Sequence, residues 1–410
     1  MKQKILIYDD EKKQTERFAS KLKQALKKVE QDNGFAIEML SEYEFQRSIE
    51  VLQTRQVGFR SNGKCSGEAT EFDDTSIFII DYDLLKSQAA KFLTGEIIAY
   101  VVRAFSKCKL IVGLNQYGHN PFDLTLRGHP ESFADLNLGV DQLSNPDLWR
   151  GDWGDFRRGY RPWCWPNLSN ALRHFDKRVK EVRGNLDKPI CEVLGFDSKL
   201  FGVLPRAVVQ FIGKNEKKES AETTFREFVL KSGNGLRAKD VDRSEDALAS
   251  LDDNVLARVG AARISKWLER FVLPEQDILV DAPHLVARYP SLIADDRKEI
   301  RAWNRTAQLV EYQELGLNTD LIEPYRFQKD YWVSRPVWFW DKLRECERIQ
   351  EATESWKSAR RNWVFCEDAS RFYNRKDCKE FLADIDSPFT RRFVKDFKGV
   401  NYRPRVRFSL

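Results

Sequence analysis

Two short apolar runs that end in carboxylates constrain this chain more than any other feature. Lys4–Tyr8 reads KILIY and runs into Asp9-Asp10-Glu11; Ile77–Leu85 reads IFIIDYDLL, four apolar residues running into Asp81. Runs this short and this uniformly apolar fit strands buried on both faces, as in a parallel sheet. After the first run, Phe18, Leu22, Ala25, Leu26 and Val29 recur at helical spacing. In open α/β sheets, ligands and chemistry sit at the C-terminal rim of the strands. If the two strands are parallel neighbours, Asp9, Asp10 and Asp81 meet there in one acidic pocket. Three adjacent carboxylates repel one another and suit a hard divalent cation, Mg²⁺.

The segments ILIYDDE (Ile5–Glu11), FIIDYD (Phe78–Asp83) and KLIVGLN (Lys109–Asn115), with Gly95 ahead of IIAYVVRAF, resemble the receiver domain of two-component response regulators. The resemblance covers roughly the first third of the chain. It implies a doubly wound parallel sheet of the receiver or flavodoxin-like kind. It makes Asp81 the phosphoacceptor, gives Asp9 and Asp10 a share in Mg²⁺, and implies a sensor kinase or another protein as partner. The family has Thr or Ser at the end of its fourth strand, where Leu114-Asn115 stands here, with Asn115 as the switch-position substitute. It has Lys at the end of its fifth strand, where Ala134–Gly139 reads ADLNLG. A polar insert is expected near Gln56–Asp74. Two expectations follow: a domain phosphorylated on Asp81, or a degenerate receiver used for partner binding.

At 410 residues the chain should divide into two or three domains. The expected division is a receiver-like α/β domain (1–146), an aromatic and Arg-rich linker (147–166), a mainly helical module (167–362) and a small strand-rich α+β cap (363–410). Asn145-Pro146 marks the first border. Hydrophobic residues make up 42% and charged residues 32%, which is enough apolar material for a core in each part. No apolar run approaches the ~18 residues that a membrane span needs. The N-terminus enters a strand without a secretory apolar region, so the expectation is a cytoplasmic protein. Seven Cys and four His show no zinc-ligand spacing, and the thiols read as buried or idle.

The net charge of +5 is small for this length, so its distribution matters more. Trp149–Trp165 reads WRGDWGDFRRGYRPWCW. Trp153 with Arg157, Arg158 and Arg161 offers aromatic faces and guanidinium groups, as a single-strand nucleic-acid platform would. The plainer reading is a clamp in which the aromatics pack one part of the chain on another. Arg403 and Arg405 lie on one parity of the basic C-terminal tail, as a phosphate-contacting strip or as charges blunting a sheet edge.

Residues 167–230 read as helical, with LFGVLPRAVVQFIG interrupted near Pro205 and Lys214–Glu219 as a charged loop. Asp252-Asp253-Asn254 should cap a helix that buries Ile264, Trp267 and Leu268 and stops at Pro274. Asp281 and His284 fit a capping Asp with a satisfied His better than an acid–base pair. Tyr331–Trp340, YWVSRPVWFW, reads as an interdomain or homodimer contact, and Trp340–Trp363 as a charged helix. No phosphate-binding G-x-x-x-x-G-K-[ST] loop, G-x-S-x-G elbow or H-E-x-x-H pair occurs, so enzymatic function is the less expected class. The leading functional expectation is a signalling protein with a receiver-like domain coupled to a helical output module. The alternatives are a nucleic-acid-binding accessory protein of a bacterial antiviral defence system, and a metal-dependent nuclease.

Overall fold

The computed structural model describes residues 2–28, 34–82, 84, 93–114, 131–149, 168–202, 204–213, 217–241, 250–281, 284–285, 322–346, 363–369, 371–381, 392–400 and 402. Strand β1 (Gln3–Tyr8), helix α1 (Lys12–Lys28), β2 (Phe35–Met39), α2 (Glu42–Asn62), β3 (Thr75–Asp81), α3 (Gly95–Phe105), β4 (Leu110–Leu114) and β5 (Leu136–Leu138) follow in order. The five strands form one sheet in the order β2-β1-β3-β4-β5, and every pairing is parallel.

Alternation along the strands sends successive side chains to opposite faces. Ile5, Ile7, Ile77, Ile79 and Val112 face one way, and pack with Phe18, Leu22 and Leu26 of α1 and with Leu168 and Leu172. Leu6, Tyr8, Phe78, Ile80 and Ile111 face the other, and pack with Phe45, Ile49 and Leu52 of α2 and with Ile98, Val102 and Phe105 of α3. Tyr8 stacks on Phe45 with ring centres 3.6 Å apart. The sheet is therefore α/β with helices on both faces, and its central strands are uniformly buried, as their composition predicts. Each such side chain contributes about 1.5–3 kcal/mol.

Between α1 and β3 the chain forms β2 and α2. Gln56–Asn62 of the expected polar insert is the last stretch of that helix, and Gly63 ends it in the left-handed region at φ 72°. Ser41 starts α2 with a capping box, its hydroxyl accepting from Glu44 N while Glu44 reaches back to Ser41 N.

After a short helix α4 (Val140–Leu143), helix α5 (Leu168–Arg183) packs its first turns on the α1 face. Helices α6 (Ile190–Leu194), α7 (Arg206–Ile212), α8 (Lys217–Glu222), α9 (Phe225–Lys231) and α10 (Asp253–Trp267) follow. Pro205 is the N-cap of α7, so the expected interruption is a helix start. Of the expected charged loop Lys214–Glu219, residues 217–219 belong to helix α8, and 214–216 lie outside the described residues. Asp252 caps α10 as expected. The apolar cluster beneath α2 and α3 continues without a break into Val255, Leu256, Val259 and Trp267 of α10, so the helices build directly on that face of the sheet. Asp240 adds a polar tie, accepting from Tyr100 Oη of α3 at 2.6 Å and Gln56 Nε2 of α2 at 2.9 Å.

The YWVSRPVWFW stretch packs inside this helical region. Trp332 and Trp338 are fully buried, and Glu181 accepts from Tyr331 Oη and Trp332 Nε1. Strand β6 (Leu279–Asp281) pairs antiparallel with β7 (Val337–Phe339). Of the expected charged helix, Trp340–Leu343 is helical, Trp363 starts a strand, and 347–362 lie outside the described residues. Strands β8 (Trp363–Cys366), β9 (Arg371–Asn374), β10 (Lys379–Phe381) and β11 (Arg392–Val394) form a small sheet in the order β10-β11-β8-β9. Among the described residues, no helix is long and apolar enough to cross a membrane.

Candidate metal centre

The sheet order reverses at β1: the chain leaves β1 for the β2 edge, then returns to place β3 on the other side. That reversal opens a crevice beyond the C-terminal ends of β1 and β3, where parallel sheets bind ligands. Tyr8 is in register with Ile80, so Asp9 and Asp81 follow side by side at the two strand ends. One carboxylate oxygen from each of Asp9, Asp10 and Asp81 lies within 4.8 Å of the others, and all three residues are half-buried. Asp9 Oδ1 also accepts from Glu11 N at 2.7 Å, which fixes the turn into α1.

The donor set fits a hard cation. Opposed oxygen ligands about 2.1 Å from a shared Mg²⁺ stand ~4.2 Å apart, so small side-chain rotations bring these oxygens to coordination distance. Three carboxylates at this spacing repel one another, and a divalent cation turns that repulsion into attraction.

Tyr82, which the sequence did not single out, connects the crevice to the rest of the molecule. Its ring fills a slot between two glycines. A Cβ on Gly95 would lie 2.3 Å from Tyr82 Cδ1 and 2.6 Å from its Cα; one on Gly113 would lie 2.6 Å from Cε1. The phenol donates to Glu96 Oε2 at 2.9 Å and lies 2.8 Å from Ser132 Oγ. Burial first, and then the Glu96 carboxylate, push its pKa well above that of an ordinary tyrosine. Glu96 holds the 132–133 backbone and side chains in turn, accepting from Ser132 Oγ at 2.7 Å and Phe133 N at 2.6 Å.

Two buried cations of α10 grip the same segment. Ser132 O accepts from Arg263 Nη1 at 2.7 Å and Lys266 Nζ at 2.6 Å, and Lys266 Nζ also donates to Ala134 O. Burial, then the neighbouring Arg263, lower the Lys266 pKa well below the usual lysine value. Burial likewise lowers Arg263 to about 10. Asp135 ends the segment, accepting from Ile111 N at 2.8 Å and pairing with Arg103. The residue after Asp81 is thus joined through Ser132 to a helix more than a hundred residues farther along the chain.

Asn115, Trp153, Arg157, Arg158, Arg161, Arg403 and Arg405 lie outside the described residues. At the edge of the aromatic segment, Trp149 is buried, edge-on to Phe35 with ring centres 5.6 Å apart, and donates from Nε1 to Leu143 O. Asp281 accepts from His284 N and also pairs with the His284 ring and with Arg335 Nε at 2.9 Å, as a capping acid beside a satisfied His. The signals for the Tyr82 slot were Gly95 and Gly113, each a missing side chain inside an apolar element. No protein-family model, no curated protein and no solved structure matches this chain.

Proposed function

We propose that the N-terminal sheet is a receiver-like signalling domain that takes a divalent cation, Mg²⁺, among Asp9, Asp10 and Asp81, and that it is coupled to the helical module through Tyr82. The observation that carries this reading is the convergence of three carboxylate oxygens within 4.8 Å at the reversal point of a parallel β2-β1-β3-β4-β5 sheet. That strand order is the flavodoxin-like one, in which ligands sit between β1 and β3.

Asp81 is the candidate phosphoacceptor. Its carboxylate oxygen attacks the phosphorus of a phosphoryl donor, and the donor's leaving group departs with the bonding pair. Asp9 and Asp10 would hold the cation, which when bound would supply positive charge against the transferring phosphoryl group. Sheet register aligns Asp81 with Leu114 and Leu114 with Leu138, and Gly139 follows. The chain therefore offers no lysine at the end of β5 to pair with a phosphoryl oxygen. In this reading an acyl phosphate on Asp81 forms slowly and turns over readily, and cation occupancy with partner contact carries most of the signal. Tyr82 shares a peptide bond with Asp81, so a shift of the Asp81 backbone reaches Glu96, Ser132 and α10 through one rigid ring.

The test is incubation of the full chain with a small phosphodonor and Mg²⁺, followed by intact mass measurement. An adduct that disappears in Asp81→Asn and without Mg²⁺ supports phosphorylation at this site. A Mg²⁺-dependent change in α10 hydrogen exchange with no adduct supports the degenerate form. Neither effect under any donor removes the proposal.

A further inference from the structure

The small C-terminal sheet holds a pair of thiols that the cation site does not use. Cys366 ends β8 and is buried; Cys378 immediately precedes β10 and is half-buried. Their sulfur atoms lie 3.1 Å apart, and Cys378 Sγ also lies 3.3 Å from Asn374 O. A disulfide bond is about 2.05 Å long, so an approach of roughly 1 Å joins them. Because β11 lies between β8 and β10 in the sheet, the bond would tie two strands that do not pair with each other. Close by, Asp368 accepts from Lys395 N, Asp396 N and Tyr402 Oη, and Lys395 Nζ donates to Asp377 O at 2.7 Å, so the segments that carry both cysteines are tied to the residues after β11.

We propose that Cys366 and Cys378 form a redox-active dithiol that closes to an intramolecular disulfide on reaction with a low-molecular-weight disulfide such as oxidised glutathione. Cys378, the more exposed of the two, attacks as thiolate and forms a mixed disulfide, releasing one glutathione thiolate. Cys366, as thiolate, then attacks the Cys378 sulfur, the mixed disulfide breaks, and the second glutathione leaves. Two electrons pass from the protein dithiol to the oxidant, and the two thiol protons end on the two glutathione molecules. Burial raises the pKa of both cysteines, so the exchange accelerates as pH rises and more thiolate is present.

The full chain is incubated with oxidised glutathione, quenched in acid, alkylated after denaturation and mapped by peptide mass. The expected result is loss of alkylation at Cys366 and Cys378 together, with one cross-linked peptide joining them. In Cys366→Ser, reaction stops at a glutathione adduct on Cys378. The wild-type map does not depend on how the variant folds, and the urea-unfolded chain supplies a second control by giving mixed pairings instead of this one. A stable glutathione adduct on wild-type Cys378, or both thiols still open to alkylation at alkaline pH, overturns the proposal. So does the same distribution of pairings from the folded and unfolded chains.

Discussion

Tyr82 Oη lies 2.8 Å from Ser132 Oγ, and the carbonyl oxygen of the same Ser132 accepts from Lys266 and Arg263 of α10. One serine thus joins the strand that bears Asp81 to the central helix of the C-terminal two thirds. The contact runs through backbone and buried donors, so neither side moves without disturbing the other's hydrogen bonds.

Removing only the Tyr82 hydroxyl tests that link. Tyr82→Phe keeps the ring in its slot but removes one hydrogen-bond partner from Glu96 and one from Ser132, which still bond to each other. It should cost about 1–2 kcal/mol, read as a lower urea midpoint at unchanged slope. If α10 reads the cation site through this hydroxyl, Mg²⁺ should also protect the α10 amides less in the variant than in wild type.

The two glycines that form the slot should respond differently to a methyl group. Gly113→Ala meets the Tyr82 ring, so its cost of about 1–3 kcal/mol should shrink in a Tyr82→Leu background. Gly95→Ala meets the Tyr82 Cα as well, so truncating the ring should not rescue it. A double-mutant cycle on urea midpoints separates the two cases.

Lys266 should leave a signature in alkaline stability. Its folded pKa is lowered by burial, while the unfolded side chain titrates near the ordinary lysine value of 10.5. Between those two values the unfolded chain binds the extra proton, so stability rises with pH over that window. Lys266→Met should remove this rise, leaving a shallower alkaline profile than wild type up to the unfolded lysine value. The two profiles should converge above the unfolded value, apart from a constant offset for the lost hydrogen bonds to Ser132 and Ala134.

A buried ion pair behind the sheet supplies an acid-side counterpart. Arg55 donates to both carboxylate oxygens of Asp73, at 3.0 and 2.7 Å, and also to Phe105 O. Burial opposes ionisation of Asp73, but the Arg55 contact and the Thr70 backbone outweigh it and hold the pKa below the usual aspartate value. This contribution is present above the unfolded value of 3.8 and is lost as pH falls through the folded one. Asp73→Asn should lower stability at neutral pH by about 3–5 kcal/mol, and the gap to wild type should narrow in acid.

The strands that carry the acids were legible because IFII and ILIY are buried on both faces, so composition alone marks them. Strand β2 was not: Phe35–Met39 lies at the sheet edge, only Phe35 is buried, and Met39 is 46% exposed. Helix α2 carried a readable start in Ser41-Glu42-Tyr43-Glu44, but its polar residues outweighed the stripe of Phe45, Ile49, Leu52 and Phe59. The grip of Arg263 and Lys266 on residues 132–134 had no local signal. Both sit in an apolar helix pattern as apparent surface cations, and only the packing of α10 against α3 reveals carbonyl oxygens beneath them.

Whether Asp9, Asp10 and Asp81 form one cation site is decided by calorimetric titration of the full chain with Mg²⁺. Saturable binding of one ion is expected, weakened by about tenfold or more in Asp10→Asn and in Asp81→Asn, because each removes a charged ligand. Binding of equal strength in wild type and both variants, or no saturable binding in wild type, would contradict it.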